Sequence, residues 1–375
     1  MHAEIAVIGG GVNGLAVARE LAARRGASVA VFDDRKLGTA SRAAAGLLGA
    51  QLEAAGLPEA LRPAVFPMLR EGRLLHEFLD LHLRESVGLG TGYRCVGALH
   101  VARNEPELEA LETRYGWQRE YGAEVVRLST RLARRLEPGL SPSIAGGIYL
   151  PGEAVVDPTA LLRALLRSCD ELGVRSVAER VRRVECEGGR IRALQTDGGT
   201  HTVDAVVLTV GGWLAGLEGL PRGLAPIEPM LSRTVLLRGG RLPGHTIVSA
   251  RGYVVPRDDG SLALGASPSG FGRYDDAIAA LYATLAILPA LSSSRVWHTR
   301  VGYRPHSPDG VPWVGRTEVD GLFVATGNVR NGLLLAPTTA SNIADLLAGR
   351  RCATPLAPPR PGEAILKASG GPPPL

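Results

Sequence analysis

The stretch IAVIGGGVNGLAVARELA, residues 5–22, limits what this 375-residue chain can fold into more than any other. AEIAVI (3–8) reads as a buried strand. LAVARELA after Gly14 reads as a helix with Leu15, Ala18 and Leu21 or Ala22 on one face. Gly9, Gly11 and Gly14 therefore lie between a strand and a helix. There the first glycine permits a tight turn, the second leaves room for a pyrophosphate, and the third lets helix and strand pack closely. The helix N-terminus offers N–H groups and a positive dipole end to phosphate. A second strand, ASVAVFDD, starts at Ala27 and places Asp33 19 residues after Gly14, where an acid holds a ribose hydroxyl; Asp34 is the neighbouring alternative. The competing reading is a glycine-rich turn in an α/β protein without a nucleotide.

An acid at that strand end selects against a 2′-phosphate and leaves FAD or NAD. GTASRAAAGLLGAQLEA (38–54) is small, polar, then Ala/Gly-rich. Such a stretch suits backbone lying along an extended cofactor, which favours FAD; a small-residue helix packed on a neighbour is the alternative. DAVVLTVGGW reads as a buried parallel strand running into Gly211 and Gly212, a second place for backbone to touch a ligand. Near the end, DGLFVATGNVRNGLLLAPTTASNIADLLAG again reads as strand, glycine-rich turn and helix.

Between these motifs the pattern changes. Residues 55–85 carry helical periodicity, with Leu69, Leu74, Phe78 and Leu81 in register. YRCVGALHVAR reads as a strand, 104–137 as helical and charged, and EPGLSPSIAGGIYLPGEAVVDP as a long connection. Asp157-Pro158 is a helix start, with Asp as N-cap and Pro in the first turn. Strands follow with turns at EGG and TDGG. From 225 to 301 longer alternating strands read as a mostly antiparallel sheet. Cofactor-type motifs at both ends of the chain imply a discontinuous domain. The expected fold is α/β: a Rossmann-like FAD-binding domain (1–85, 145–220, 302–365) with an inserted, mostly antiparallel β-sheet substrate domain (86–144, 221–301; α+β). Residues 366–375, rich in Pro and Gly, read as a flexible tail.

Composition narrows the partners. The formal charge is +5, from 42 Lys+Arg against 37 Asp+Glu, with Arg scattered among acids. No basic run interleaves with aromatics, which argues against nucleic acid and mildly favours an anionic ligand. Cys95, Cys169, Cys186 and Cys352 stand far apart without a CxxC or metal-ligand spacing, so reduced thiols, a cytoplasmic location and no metal are expected. No signal peptide and no apolar run long enough for a membrane span is read. GxSxG, HExxH and Walker phrases do not occur, which weakens hydrolase, zinc and nucleotide-hydrolysis readings.

Taken together, VIGGGVNGLAVARELA, SRAAAGLLGAQLE, VVDPTALLRAL, VVLTVGGW, GYVVPRDDGSLALGAS, GYRPHSPDGVPWVG and GNVRNGLLLAPTTA resemble the FAD-dependent amine oxidases that include D-amino acid oxidase, sarcosine oxidase and glycine oxidase. SRAAAGLL, YVVPR and RNGLLLAP lean toward glycine oxidases of thiazole biosynthesis. The resemblance covers nearly the whole chain. It implies noncovalent FAD, because the position where sarcosine-oxidase-like members carry a flavin-linking Cys is Gly302 here. The implied cofactor contacts are Gly9, Gly11, Val12, Asn13, Gly14, Asp33, Asp34, Ser41, Arg42, Ala43, Ala45, Gly46, Leu47, Leu48 and Val181. Further along they are Gly211, Gly212, Trp213, Gly302, Arg304, Gly327, Val329, Arg330, Asn331, Gly332, Leu333 and Leu334. A homo-oligomer, tetramer or dimer, is also implied.

Oxidising an amine at its α-carbon needs the flavin for electrons and the protein for orientation. A fork-shaped guanidinium suits the substrate carboxylate. The family's carboxylate-binding Arg falls on Arg304, its Tyr on Tyr253, and an Arg at the flavin edge or carboxylate on Arg330; a charged surface turn and a half-buried strand Tyr are the bland alternatives. His298 and His306 read as bystanders. Asn328-Val329 replace the usual His-aromatic pair, PIEPMLSRTVLLR lacks a Gly-Gln pair, and GASPSGFG lacks an acid. These departures leave FAD binding intact but open the substrate to glycine, sarcosine, another N-alkyl glycine or a D-amino acid. The leading expectation is an oxidase releasing imine and hydrogen peroxide from O2. A dehydrogenase passing electrons to a carrier, and a flavin protein without turnover, are the alternatives.

Overall fold

A computed structural model describes residues 2–35, 38–224, 227–266, 274–308 and 310–352. The tail at 366–375, residues 353–365 and the SPSGFG segment (267–272) lie outside the described residues. The chain begins with β1 (His2–Ile8), α1 (Val12–Arg25) and β2 (Val29–Phe32). The small-residue stretch then folds as α2 (Ala40–Ala43), β3 (Leu47–Leu48) and α3 (Ala50–Ala54), ahead of the long α4 (Arg62–Val87). Next come β4 (Ala98–Ala102), α5 (Glu105–Glu120), β5 (Val126–Leu128), α6 (Thr130–Leu136), β6 (Gly146–Leu150) and β7 (Ala154–Val155). The middle holds α7 (Pro158–Glu171), β8 (Arg175–Val177), β9 (Val181–Glu187), β10 (Arg190–Thr196) and β11 (Gly199–Leu208). The last third holds β12 (Glu228–Arg238), β13 (Thr246–Val248), β14 (Gly252–Pro256), β15 (Ser261–Ala266), α8 (Tyr274–Ile287), β16 (Arg295–His306), β17 (Trp313–Arg316), β18 (Leu322–Thr326) and α9 (Ala336–Leu347).

The first sheet runs β17-β18-β11-β1-β2-β8, with β9 and β10 attached beyond β11. β1 pairs in parallel with both β2 and β11, and β11 with β18. Parallel central strands are buried on both faces, which is why IAVI and AVVL read as unbroken apolar runs. Leu15, Ala18 and Leu21 are buried as their spacing predicts. Asp157 caps α7 as expected, accepting the Thr159 and Ala160 N–H groups at 2.7 and 2.9 Å.

The second sheet runs β16-β12-β15-β14-β13-β4-β6-β5 and is antiparallel except where β13 meets β4. Its β14 face turns Tyr253 and Val255 toward Ala45 and Val155, so the second sheet shares a packed seam with β7 and the segment between α2 and β3. Arg257 closes that seam with an ion pair to Asp157. β6, in a stretch read as connection, pairs into this second sheet, and β3 pairs with β7 in a small ribbon of its own.

Four local readings are corrected. The 137–158 stretch is not a plain connection, because β6 and β7 lie within it. The charged 104–137 region contains a short strand, β5, and the 225–301 region contains a helix, α8. On α4 the buried face is Val65, Phe66, Met68, Leu69, Gly72, His76, Asp80 and Leu83, while Leu74, Phe78 and Leu81 are exposed. Apolar periodicity misjudged that face because two polar residues on it find partners elsewhere. His76 Nε2 meets the Leu333 carbonyl at 2.7 Å, and Asp80 accepts the Thr91 N–H at 2.5 Å. No helix among the described residues is long and apolar enough to cross a membrane.

Candidate active site

One cavity runs from the C-terminal end of β2, past the β1–α1 turn, to β14 and β16. At its first end the geometry is backbone against backbone. Gly9 adopts φ +107°, and a Cβ there would meet the Thr209 carbonyl at 2.5 Å. A Cβ on Gly14 would lie 1.8 Å from the Gly9 carbonyl oxygen. Helix and strand therefore approach to a distance only glycine allows. Gly11, Val12 and Asn13 line the cavity, and the Val12 N–H is held by Ser41 Oγ at 3.0 Å.

Asp33 accepts the Gly10 N–H at 2.5 Å through one oxygen and the Arg35 N–H at 2.6 Å through the other. Each carboxylate oxygen keeps a second lone pair, so the acid still has acceptors for ribose hydroxyls. Asp34, Glu179, Arg180 and Val181 also line this end. A helix N-terminus, a glycine turn and an acid at the next strand end are the donor and acceptor set that an adenine dinucleotide requires.

The 327–332 loop closes over the middle. Asn13 donates to the Gly332 carbonyl at 3.2 Å and accepts from Asn328 Nδ2 at 3.3 Å, tying the loop to the start of α1. The Val329 N–H donates to the Pro305 carbonyl at 2.8 Å, tying it also to β16. Val329 has φ +45°, a strained conformation for a β-branched residue, held by these contacts on both sides. Asn328 lines the cavity, and its buried Oδ1 finds no partner among the described residues. That is an acceptor left for a bound group.

At the far end stand Tyr253, Arg304, Arg330 and Glu53. Arg330 Nε donates to both Glu53 oxygens, at 3.2 and 3.1 Å, and its guanidinium lies 5.9 Å from the Tyr253 ring. Burial opposes the Arg330 charge, but Glu53 and Tyr253 outweigh it and raise the pKa above the usual arginine range. Tyr253 stands beside Arg304 and favours its charged form. The Arg304 pKa is lowered by burial and by the nearby Arg330 charge, partly offset by Tyr253 and Glu53. Two guanidiniums thus face one carboxylate, leaving one net positive charge in a desolvated corner.

Most residues expected at the site come together in this cavity. Gly9, Gly11, Val12, Asn13, Asp33, Asp34, Ser41, Ala43, Ala45, Gly46, Leu47, Val181, Gly211, Gly212, Trp213, Tyr253, Gly302, Arg304, Val329, Arg330, Gly332 and Leu333 line it. Gly14, Arg42, Leu48, Gly327, Asn331 and Leu334 do not. Gly14 is spent on the helix–strand contact. Arg42 is exposed, and its carbonyl accepts from Arg300 at 3.2 Å. Leu48 and Leu334 are core side chains. The Gly327 carbonyl accepts from Ser307 at 3.2 Å, and the Asn331 N–H turns back to Asn328 at 2.7 Å. Neither His298 nor His306 lines the cavity.

Sequence reading missed Thr209 and Glu53. The Thr209 hydroxyl braces the glycine turn by sharing its one proton between the Ile8 and Gly9 carbonyls, each 2.9 Å away; it follows a buried strand directly, which is the available signal. Glu53 carried none, because Arg330 lies 277 residues away.

The family described as "DAO: FAD dependent oxidoreductase" matches residues 4–346. The sequence is 34% identical over 369 residues to glycine oxidase of Geobacillus kaustophilus, covering 95% of each chain. The crystal structure of glycine oxidase from that species has a TM-score of 0.85 at 32% identity, covering 95% of this chain and 97% of that one. The bifunctional protein ThiO/ThiG of Nostoc sp. is 30% identical over 362 residues; the match spans 92% of this chain and 53% of that protein. Iminodiacetate oxidase from Chelativorans sp. BNC1 has a TM-score of 0.82 at 27% identity, with 94% and 98% covered. With the dinucleotide cradle and these likenesses in agreement, the chain belongs to the DAO family of FAD-dependent oxidoreductases.

Proposed function

We propose that this enzyme oxidises a small amino acid, glycine or an N-substituted glycine such as sarcosine, to the imine, and reduces O2 to H2O2. The observation that carries the reading is the surplus positive charge of Arg304 and Arg330 over Glu53, set at the opposite end of one cavity from the dinucleotide cradle. Bound FAD supplies the two-electron oxidation. In this reading the first sheet and its helices hold FAD, and the second sheet presents Tyr253 and Arg304 to substrate.

The Arg304 fork takes the substrate carboxylate in two hydrogen bonds, and the Tyr253 hydroxyl beside it adds a third. Pro305 and the Val329 hydrogen bond fix the backbone beside it. Anchoring one end of a small substrate aims its α C–H bond, and orientation of this kind lowers barriers by up to about 7–11 kcal/mol. No side-chain base is required if the amine arrives neutral. The cofactor is held without a covalent bond through β16: a Cβ at Gly302 would lie 2.6 Å from the Ala43 Cβ. Likeness to ThiO/ThiG supports a place in the supply of the thiamine thiazole.

An anaerobic titration tests this. Yellow holoenzyme mixed with glycine, sarcosine or small D-amino acids should bleach, and admitted air should restore the colour with stoichiometric peroxide. A flavin that none of them bleaches rules out the substrate class. Bleaching without reoxidation by air rules out the oxidase.

A further inference from the structure

Arg330 is well placed for a second anion, yet Glu53 already occupies it. Both carboxylate oxygens lie within 3.2 Å of its Nε, and each side chain is only 15% exposed. Glu53 is also held from behind. It sits in α3, whose first turn is capped by the buried Glu153 through the Gln51 N–H at 2.6 Å. The Gln51 amide in turn reaches Gln118 at 3.2 Å and the Glu124 carbonyl at 3.1 Å. The remaining charged residues of the cavity, Asp33, Asp34, Glu179 and Arg180, stand at the cradle end.

Building on the amine-oxidase reading above, we propose that Glu53 is a specificity-determining residue, restricting the substrate to amines with a single carboxylate. The charge count carries it. Arg304 and Arg330 contribute two positive charges and Glu53 one negative charge. A substrate with one carboxylate and a neutral amine brings the corner to zero. A second carboxylate leaves an excess negative charge in a desolvated pocket, where an unpaired charge is strongly disfavoured. It must then displace Glu53 from Arg330 or go without a partner. Rejection by an occupied partner and a like charge is specificity by exclusion. Glycine, sarcosine and small neutral D-amino acids fit this rule, whereas iminodiacetate and D-aspartate do not.

The test uses FAD-loaded enzyme and its Glu53→Gln and Glu53→Asp variants. Acetate and malonate, which cannot be oxidised, are titrated against the flavin absorbance. Sarcosine and iminodiacetate are compared by kcat/KM. The wild type should favour the monocarboxylate in both comparisons. Glu53→Gln should shift both ratios toward the dicarboxylate by about tenfold or more, whereas Glu53→Asp should keep the wild-type order. Wild-type enzyme that binds malonate as tightly as acetate overturns the inference, even if Glu53→Gln does not fold. So does a Glu53→Gln enzyme whose ratios stay within about twofold of wild type. If no amine bleaches the flavin, the oxidase reading fails, while the acetate and malonate titration still decides the role of Glu53.

Discussion

The two ends of the cavity are built from different materials. At the cradle, backbone meets backbone: Gly9 against Thr209 and Gly14 against Gly9, with room for hydrogen atoms only. At the anion end, long side chains from β14, β16, α3 and the 327–332 loop meet through charge. The first kind of geometry tolerates no added atom. The second tolerates atoms but not a change of charge. An error at the cradle should therefore cost the cofactor, and an error at the anion end should retune what the enzyme accepts.

The sharpest way to break that contrast is Gly14→Ala. Its Cβ would lie 1.8 Å from the Gly9 oxygen and 2.7 Å from Thr209 Oγ1, so backbone itself must move. We expect destabilisation of about 3 kcal/mol, the upper range for overpacking, and protein that purifies without yellow colour. A folded Gly14→Ala enzyme with FAD affinity near wild type would show that the cradle is as forgiving as the other end.

Arg304→Ala should act on the opposite side of the contrast. FAD stays bound and the visible spectrum persists, but carboxylate affinity falls by about 2–5 kcal/mol, the range for removing one partner of a buried charge pair. Acetate titration of the flavin reads this directly. An unchanged acetate affinity would remove Arg304 from substrate binding and leave Arg330 to carry it.

The same contrast explains what could be read from the chain alone. Backbone geometry follows from local spacing, so a strand, three glycines, a helix and Asp33 announce the cradle within 30 residues of Ala3. Tyr253, Arg304 and Arg330 stand out in the sequence only through the family resemblance of their surrounding phrases. Glu53 was hidden inside a stretch whose message was small size, and its meaning depends on a guanidinium far along the chain. The α4 face failed for a related reason. His76 and Asp80 are buried because a carbonyl and an N–H from other segments meet them, and apolar periodicity contains no term for such partners. Short strands such as β6 escaped because GGIYLPG carries more turn signal than strand signal.

The smallest expected effect is a change of slope in stability with pH, and it separates the supports behind the two ends. His76 backs the loop residue Leu333, and burial lowers its pKa from 6.5 to about 4, against the pull of the Leu333 and Leu334 carbonyls and of Asp80. Its contribution is full above pH 6.5 and is lost as pH falls toward 4, because the unfolded chain then binds the extra proton. Glu153 backs α3 and hence Glu53. Burial raises its pKa from 4.5 to about 7, opposed by the backbone of α3 and by Arg73. Its contribution is full below pH 4.5 and is lost as pH rises toward 7, because the folded chain now holds the extra proton. Between these values the two slopes oppose each other, each at most about 1.4 kcal/mol per pH unit. Glu153→Gln removes the falling slope, so denaturant unfolding of the holoenzyme should show stability rising more steeply than in wild type from pH 4.5 to 6.5. His76→Gln removes one rising slope while the buried His100 ring keeps its own, so stability should rise less steeply than in wild type over the same interval. Two variants whose curves run parallel to wild type would mean that neither group changes its proton affinity on folding, and that the supports behind the two ends act by packing alone.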